Sequence, residues 1–191
     1  MNKLHLTLLV MLIFAGVLKA QDQGTKGISV GAGFYTTNEI LNTFEDIANG
    51  ASFGNVSAGP AISITYKVAI KDRWFVYADA AYQSISEDIF LNGNKEGDVS
   101  HRFFTVGFGT EYHYVSGDLI QAYSGVSIAY TSQTHDYTLP PNSVVSESSN
   151  DNYVGFQVNA LGIRVGRKLA GFLELGFGYR GVANVGLSYQ F

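Results

Sequence analysis

Five charged residues stand out in this sequence of 191 residues, because each occurs in a segment whose other side chains alternate between apolar and small polar types. All five share the small polar face of that alternation: Lys67, Asp79, Glu111, Arg164 and Glu174. A buried charge without a partner is strongly destabilising, so acids and bases in one narrow interior should form salt bridges. The pattern predicts a salt-bridged network that fills an interior, with a gate that admits ions as the alternative. We expect Arg164→Ala to leave carboxylates of this network unpaired.

Histidine and serine residues raise the question of hydrolysis, since a nucleophilic serine needs a histidine base and an acid that orients it. His101, His113 and His135 occur outside any recognisable nucleophile motif. Ser100 and His101 are neighbours at the start of one predicted strand, so their side chains point to opposite faces. We expect His113 to lie on the inner face near Glu111 as a hydrogen-bonded interior residue. The sequence therefore predicts no enzyme, with an outer-leaflet lipid hydrolase as a weaker alternative.

Motifs for cofactors and nucleic acid are missing. The chain has no cysteine, which excludes disulfides and cysteine-based metal sites, and it has neither a phosphate loop nor a basic patch. The stretch NGNKEGDVS, residues 92–100, is similar to a calcium loop, but it starts with Asn92 and has Phe103 where the closing Glu belongs. We therefore expect no cofactor, no metal and no nucleic-acid partner.

The elements that position these residues are strands, because apolar residues recur at every second position. Between Val56 and Ile70 the even positions are apolar, whereas the odd positions are small or polar apart from Lys67, and Pro60 predicts a local irregularity. A change of parity predicts a bulge near residues 159–161. Eight segments alternate in this way: 27–36, 56–70, 74–84, 102–115, 119–132, 153–166, 172–179 and 182–191.

The connections between these strands alternate in length. Long connections are expected at 37–54, 85–100 and 133–151, and short ones at 71–73, 116–118 and 167–171, with a last short turn near 180–183. This alternation is expected when an antiparallel meander closes with all its short turns at one rim. The sequence therefore predicts an all-β, eight-stranded, antiparallel up-and-down barrel, whose last strand pairs with the first around Ile28 to Phe34.

The face opposite the apolar one carries few charges, although a surface in water should be rich in them. The apolar face is therefore expected to meet lipid, which makes the barrel a transmembrane one. Aromatic residues near the strand ends predict girdles at the membrane interfaces: Tyr66, Trp74, Phe104, Tyr112, Tyr114, Tyr130 and Tyr179. The alternative is a soluble, exported, eight-stranded barrel that binds an apolar ligand, as lipocalins do.

The N-terminus has the layout of a secretory signal peptide. Lys3 precedes an apolar stretch from Leu6 to Leu18, and Ala20 precedes a polar sequence. The apolar stretch is too short to span a bilayer comfortably. We therefore predict a cleaved signal peptide at residues 1–20 and one outer-membrane β-barrel domain at residues 21–191.

The C-terminal run FLELGFGYRGVANVGLSYQF, with LGIRVG before it, resembles the porin-family small outer-membrane β-barrel domain. In that family the alternating aromatic tail that ends in Phe is the recognition signal for the barrel-assembly machinery. The resemblance implies this role for Leu187, Tyr189 and Phe191, and it implies outer-membrane lipid and the assembly machinery as partners. It says little about activity, because the family covers scaffolds, adhesins, gates and a few enzymes.

Charge is separated along the predicted barrel. The long connections carry one lysine, Lys95, against ten acidic residues: Glu39, Glu45, Asp46, Glu87, Asp88, Glu96, Asp98, Asp136, Glu147 and Asp151. Acidic loops either are simply solvated or bind cations or a basic partner. Since eight strands leave an interior that side chains fill, we expect a monomeric scaffold that displays these loops, for adhesion or envelope integrity, with at most a narrow gated pore. The extracellular partner stays open.

Overall fold

The chain folds into one antiparallel sheet that closes on itself as an eight-stranded barrel, which confirms the predicted fold class. The computed structural model describes residues 23–40, 56–91, 94–138 and 148–191. The predicted signal peptide lies outside these residues and stays a prediction. The strands are β1 (Lys26–Phe34), β2 (Val56–Ala58), β3 (Ala61–Lys71), β4 (Trp74–Leu91), β5 (Asn94–Ser116), β6 (Ile120–Thr138), β7 (Ser148–Gly166), β8 (Leu169–Gly178) and β9 (Ala183–Gln190). Because β2 and β3 both pair with β4, these nine strands fill eight positions around the barrel.

The barrel closes where β1 pairs with β9, as the sequence predicts. Ile28 lies opposite Tyr189 and Val30 lies opposite Leu187. Past the end of β9, the backbone N–H of Phe191 donates to the carbonyl of Lys26 at 2.9 Å, and the N–H of Lys26 donates back at 3.0 Å. The two terminal strands therefore satisfy each other's backbone groups and leave no open edge between them.

Side chains alternate strictly between the two faces of the wall. Along β3 the branched residues Ile62 and Ile64 point outward, whereas Ser63, Thr65 and Lys67 point inward and are buried. β-Branched side chains suit a pleated strand, and the small inward residues suit a narrow barrel. The alternation of residue types in the sequence therefore corresponds to the alternation of side chains between the outer and inner faces of the sheet.

Two predicted irregularities are confirmed. Gly59 and Pro60 separate β2 from β3, since a proline cannot donate to the ladder. In β7 the register against β8 shifts between Asn159 and Leu161. This bulge exchanges the two faces of the strand, and it brings Arg164 to the inside.

Two of the long connections are shorter than the sequence analysis expected. β4 and β5 stay paired as far as Leu91 and Asn94, so most of residues 85–100 form a hairpin instead of a loop. β6 and β7 likewise extend to Thr138 and Ser148. Backbone pairing does not need apolar side chains, and the outward residues of these extensions whose side chains are described are polar: Ser86, Thr134, Asp136, Asn150 and Asn152. Because these positions lack the apolar alternation of a lipid-facing strand, the sequence pattern predicted loops there.

The exterior of the barrel is an apolar surface. Large hydrophobic side chains are exposed from β1 to β9, with Phe108 at 61%, Ile128 at 64% and Leu187 at 63%. A surface of this extent suits lipid hydrocarbon and not water. Six of the aromatic residues predicted to form girdles point outward on this surface: Tyr66, Trp74, Phe104, Tyr112, Tyr114 and Tyr130. Within the described residues, no helix has the length and apolar character needed to cross a membrane.

The prediction that Tyr179 belongs to the outer girdle is wrong. Gly178 has a φ of 147°, a conformation that favours glycine, and this residue turns the chain inward after β8. Tyr179 is consequently buried in the interior, next to Ala81 and Ala129. Most other side chains buried within the described residues are polar or charged. This arrangement is the reverse of a soluble barrel with an apolar ligand cavity.

Glycines on the inner face make room for large interior rings, and one of them gives a test of this packing. A Cβ atom at Gly162 would lie 2.3 Å from the Tyr123 ring, whereas one at Gly155, on the same strand, would lie 3.6 Å from its nearest atom, Thr131 Oγ1. We expect Gly162→Ala to lower the free energy of unfolding by about 1–3 kcal/mol, because the ring must move. Gly155→Ala should change it by no more than about 0.5 kcal/mol. Urea unfolding in detergent measures both, and equal stability of the two variants would contradict the packing.

Candidate functional site

The interior at the end of the short turns holds an ion pair between β3 and β5. Lys67 Nζ donates to Glu111 Oε2 at 2.8 Å, and both side chains are buried. His113 Nε2 lies 3.3 Å from the same oxygen, and its ring stacks on Tyr123 with centroids 4.8 Å apart. Lys67 Nζ also lies 4.9 Å from the centroid of the Tyr123 ring. His113 is thus an interior residue packed beside Glu111, where the sequence placed it.

A second cluster is centred on Arg180, which follows β8. Its guanidinium lies 3.7 Å from Asp79 Oδ2 and 3.7 Å from Glu174 Oε2, with 2% of the residue exposed. The guanidinium carbon also lies 5.3 Å from the centroid of the Tyr77 ring. Arg180 therefore forms ion pairs with both carboxylates.

Neutral donors complete the coordination of these two carboxylates. Tyr179 Oη donates to Asp79, at 2.8 Å from Oδ1 and 2.7 Å from Oδ2. Glu174 accepts from Tyr123 Oη at 3.0 Å and from Asn184 Nδ2 at 2.9 Å. Both carboxylates thus have a cation and at least one neutral donor, the condition for a tolerable buried charge.

Arg164 occupies a different position from the one expected. Its Nε donates to Ser188 Oγ at 2.8 Å, and its terminal nitrogens donate to the carbonyls of Gly166, Arg167 and Lys168 at 2.7–3.2 Å. Within the described residues it forms no salt bridge with a carboxylate. The expectation for Arg164→Ala must be corrected for this reason: the substitution would release the β7–β8 turn instead of unpairing an acid.

Charge balance is the signal that could have revealed Arg180. The five predicted interior residues comprise two cations and three acids, an imbalance that a narrow low-dielectric interior does not tolerate. With Arg180 the two clusters and the neighbouring Arg164 hold three cations, Lys67, Arg164 and Arg180, and three acids, Asp79, Glu111 and Glu174, whereas Glu87, a fourth buried acid, lies nearer the mouth. This balanced set packs the lumen below the mouth, and a small polar cavity beside it has room for about one water molecule.

Polar side chains also close the lumen at both ends. Near the short turns, Gln121 and Gln190 exchange amide hydrogen bonds of 3.0 and 3.2 Å across the interior. At the opposite end, Thr36 begins a helical turn at residues 37–40, where the Glu39 N–H donates to Thr36 Oγ1 and the Thr36 N–H donates to Glu39 Oε1. The Thr-x-x-Glu spacing is the usual sequence signature of a capping box, so this helical turn could have been predicted within the long connection expected at 37–54.

The helical turn is tied across the mouth of the barrel. Gln83 Nε2 donates to Glu39 Oε1 at 2.7 Å, and Thr36 Oγ1 donates to Gln83 Oε1 at 2.7 Å. From β7, Tyr153 Oη donates to Asn38 Oδ1 at 2.7 Å. The turn thereby joins β4 to β7 and covers part of the opening.

Two histidines face each other on the inner wall of this mouth. His101 Nδ1 lies 2.8 Å from His135 Nδ1, and His135 Nε2 lies 3.4 Å from Asp151 Oδ2. Burial and the neighbouring His135 lower the pKa of His101 to about 4, so His101 is neutral at pH 7. Within the described residues, no group of three or more metal-ligating side chains is preformed.

The three residues predicted to act in assembly lie on the outside of β9 and just beyond it. Leu187, Tyr189 and Phe191 are all exposed on the apolar surface, next to the seam with β1. Their position suits contact with lipid or with another protein before insertion. Their role in recognition stays a prediction.

The Arg180 cluster yields a stability test. Arg180→Gln leaves Asp79 and Glu174 without a cation, and breaking a buried ion pair in this way costs about 3–5 kcal/mol. The matched control is Arg167→Gln, whose side chain is exposed on the β7–β8 turn and should change stability by less than about 0.5 kcal/mol. Adding Glu174→Gln to Arg180→Gln should recover part of the loss. Urea unfolding in detergent measures all three variants, and an Arg180→Gln barrel as stable as the control would overturn the assignment.

Comparison with known proteins supports the architecture. The chain is similar in fold to Ail, the attachment invasion locus protein of Yersinia pestis, whose crystal structure contains the heparin analogue sucrose octasulfate. The TM-score is 0.50 at 12% sequence identity, over 89% of this chain and 100% of the Ail chain. No protein-family model matches the chain, and no curated protein does either. At this identity the similarity establishes the shared barrel fold and nothing finer.

Proposed function

We propose that this chain is an outer-membrane barrel of the interaction type, which holds its lumen closed and acts through the loops at its mouth. The observation that carries the proposal is the contrast between the two faces of the wall. The exterior is apolar, and the described interior is filled by charged and polar side chains that form hydrogen bonds and ion pairs. Such an interior leaves neither a wide pore nor a cavity for an apolar ligand.

Several features support the outer membrane as its location. The apolar band with aromatic residues near its borders matches the lipid-facing surface of outer-membrane barrels. The predicted signal peptide at residues 1–20 would export the chain. In this setting the short turns face the periplasm and the long connections face the cell exterior. The barrel would act as a monomer, because closure leaves β1 and β9 no backbone groups to share with a second copy.

Charge indicates which kind of partner the loops can bind. The long connections carry ten acidic residues and one lysine. Glu87 is buried and Asp136 pairs with Arg102, so eight of these acids remain against one lysine, a balance that repels polyanions and attracts basic groups. Although Ail binds a heparin analogue, we therefore propose that this chain binds a basic partner and not a sulfated polysaccharide.

Loop charge can be tested by binding to polylysine. Five acidic residues of the long connections would be neutralised: Glu45, Asp46, Glu96, Asp98 and Glu147. We expect the wild-type barrel in zwitterionic nanodiscs to bind polylysine in a salt-sensitive manner and the neutralised variant to bind at least about tenfold more weakly, since charge drives the contact. The control neutralises Asp72 and Asp118 at the short turns. Equal binding by both variants, or a wild-type preference for heparin, would count against the proposal.

The closed lumen can be tested by conductance. We expect the wild-type barrel to give no steady single-channel current in a planar bilayer, and ohmic current steps would contradict the closed lumen.

We also propose that the tail formed by Leu187, Tyr189 and Phe191 directs the chain to the barrel-assembly machinery. The backbone of Phe191 pairs with Lys26 and closes the seam, whereas its ring is exposed and free to be recognised. Recognition and closure are therefore carried by different parts of one residue.

Phe191→Ala separates these two roles, because it removes the ring and keeps the backbone pair. We expect this variant to be exported but poorly inserted in cells, and to refold normally into detergent, where no assembly machinery is present. Heat-dependent gel mobility measures the folded fraction in both settings. Deletion of Phe191, the control, should impair both processes, since it also removes the two hydrogen bonds to Lys26. Normal insertion of Phe191→Ala in cells would remove the proposed role of the ring.

A further inference from the structure

The two histidines at the mouth have a geometry that the packing of the barrel does not explain. His101 of β5 and His135 of β6 are direct cross-strand partners, so the pleat projects both side chains in the same direction. Their rings meet edge to face, with centroids 4.7 Å apart and with the two Nδ1 atoms 2.8 Å apart. The two Nδ1 atoms are thus within hydrogen-bond distance of each other, and both are potential metal ligands.

The neighbouring carboxylate favours the tautomer that a metal needs. Asp151 Oδ2 lies 3.4 Å from His135 Nε2, which favours a hydrogen on that nitrogen. His135 Nδ1 is then left with its lone pair directed at His101. A ligand histidine that donates its other nitrogen to a carboxylate is the common outer-shell arrangement of metal sites in proteins.

From this geometry we propose that His101 and His135 bind a divalent transition-metal ion through their Nδ1 atoms, with Asp151 orienting His135 and with water completing the coordination. Imidazole prefers Zn²⁺, Cu²⁺ and Ni²⁺ among the divalent ions. At metal–nitrogen distances near 2.0–2.1 Å, two tetrahedral ligands lie about 3.3 Å apart, so the rings need to separate by only about 0.5 Å. The site uses two protein ligands, consistent with the absence of a preformed three-residue group among the described residues.

The surroundings of the pair suit a cation. Glu87 is buried on the same inner face, on β4 next to the β5 strand that carries His101. Arg102, which follows His101, points to the outer surface and pairs there with Asp136, so its charge does not face the imidazoles. Both histidines lie beyond the outward aromatic residues Phe104 and Tyr130, where the wall has left the apolar band. Ions from the exterior therefore reach the site without crossing lipid or the packed lumen.

Copper binding to the untagged, full-length barrel in detergent tests the site. With Cu²⁺ as the probe, we expect one ion per barrel and an electron paramagnetic resonance spectrum with hyperfine structure from two imidazole nitrogens. His101→Gln and His135→Gln should each lose the two-nitrogen spectrum. Asp151→Asn should keep that spectrum and weaken binding by about 10–100-fold. The matched control, His113→Gln, removes the one other histidine outside the predicted signal peptide and should bind as the wild type does.

Variants that fail to fold would be recognised by their heat-dependent gel mobility, and the wild-type chain then provides the deciding measurement. Titration with Zn²⁺, followed by nitrogen-15 spectra of the histidine rings, should shift the Nδ1 resonances of His101 and His135 and leave those of His113 unchanged. An unchanged copper spectrum in folded His101→Gln and His135→Gln would overturn the proposal. Zinc shifts confined to His113, or no shift at all, would overturn it as well.

Discussion

Closure of the sheet is the constraint on which the rest of this structure depends. In a lipid environment each unpaired backbone N–H or C=O costs several kcal/mol, so a sheet can stay there only if its first and last strands pair. The register of β1 with β9, extended by Phe191 and Lys26, meets that requirement. An eight-stranded closed wall leaves an interior only wide enough for side chains. What fills that interior is therefore a consequence of closure.

A narrow interior explains the pairing of its charges and the placing of its glycines. Arg180 lies between Asp79 and Glu174, and Lys67 binds Glu111, so each of these three acids has a cation beside it. The large rings that pack against these groups need strand positions without side chains beside them. Gly162 leaves this space for Tyr123, because a Cβ atom at residue 162 would overlap the ring. A substitution on the inner face can therefore destabilise the barrel in two ways, by leaving a charge unpaired or by overlapping a neighbouring side chain.

The period of two was enough to predict the strands, their closure and the inward direction of the five charges, because the wall repeats the same alternation. It failed where the alternation is interrupted by backbone geometry that side-chain types do not reveal. The φ of 147° at Gly178 reverses the expected face of Tyr179 and brings Arg180 inside. The hairpin extensions of β4 to β7 were missed because outward residues such as Ser86, Thr134 and Asn150 are polar. Arg164 was placed on the correct face, but which partner it chooses depends on the turn beside it, which no spacing rule specifies.

The polar groups of the lumen and those of the mouth differ in what they can do. In the lumen, Asp79 and Glu174 are held by a cation and by neutral donors, and exchanging any partner would require a new one in a space that has room for about one water molecule. At the mouth, His101 and His135 share a single hydrogen, and Asp151 beside them is exposed to solvent. A metal ion that replaces that hydrogen would bind both Nδ1 atoms, so neither atom would be left unpaired. Binding chemistry in a filled barrel is thus expected where the wall emerges from the lipid, and the histidine pair lies at that level.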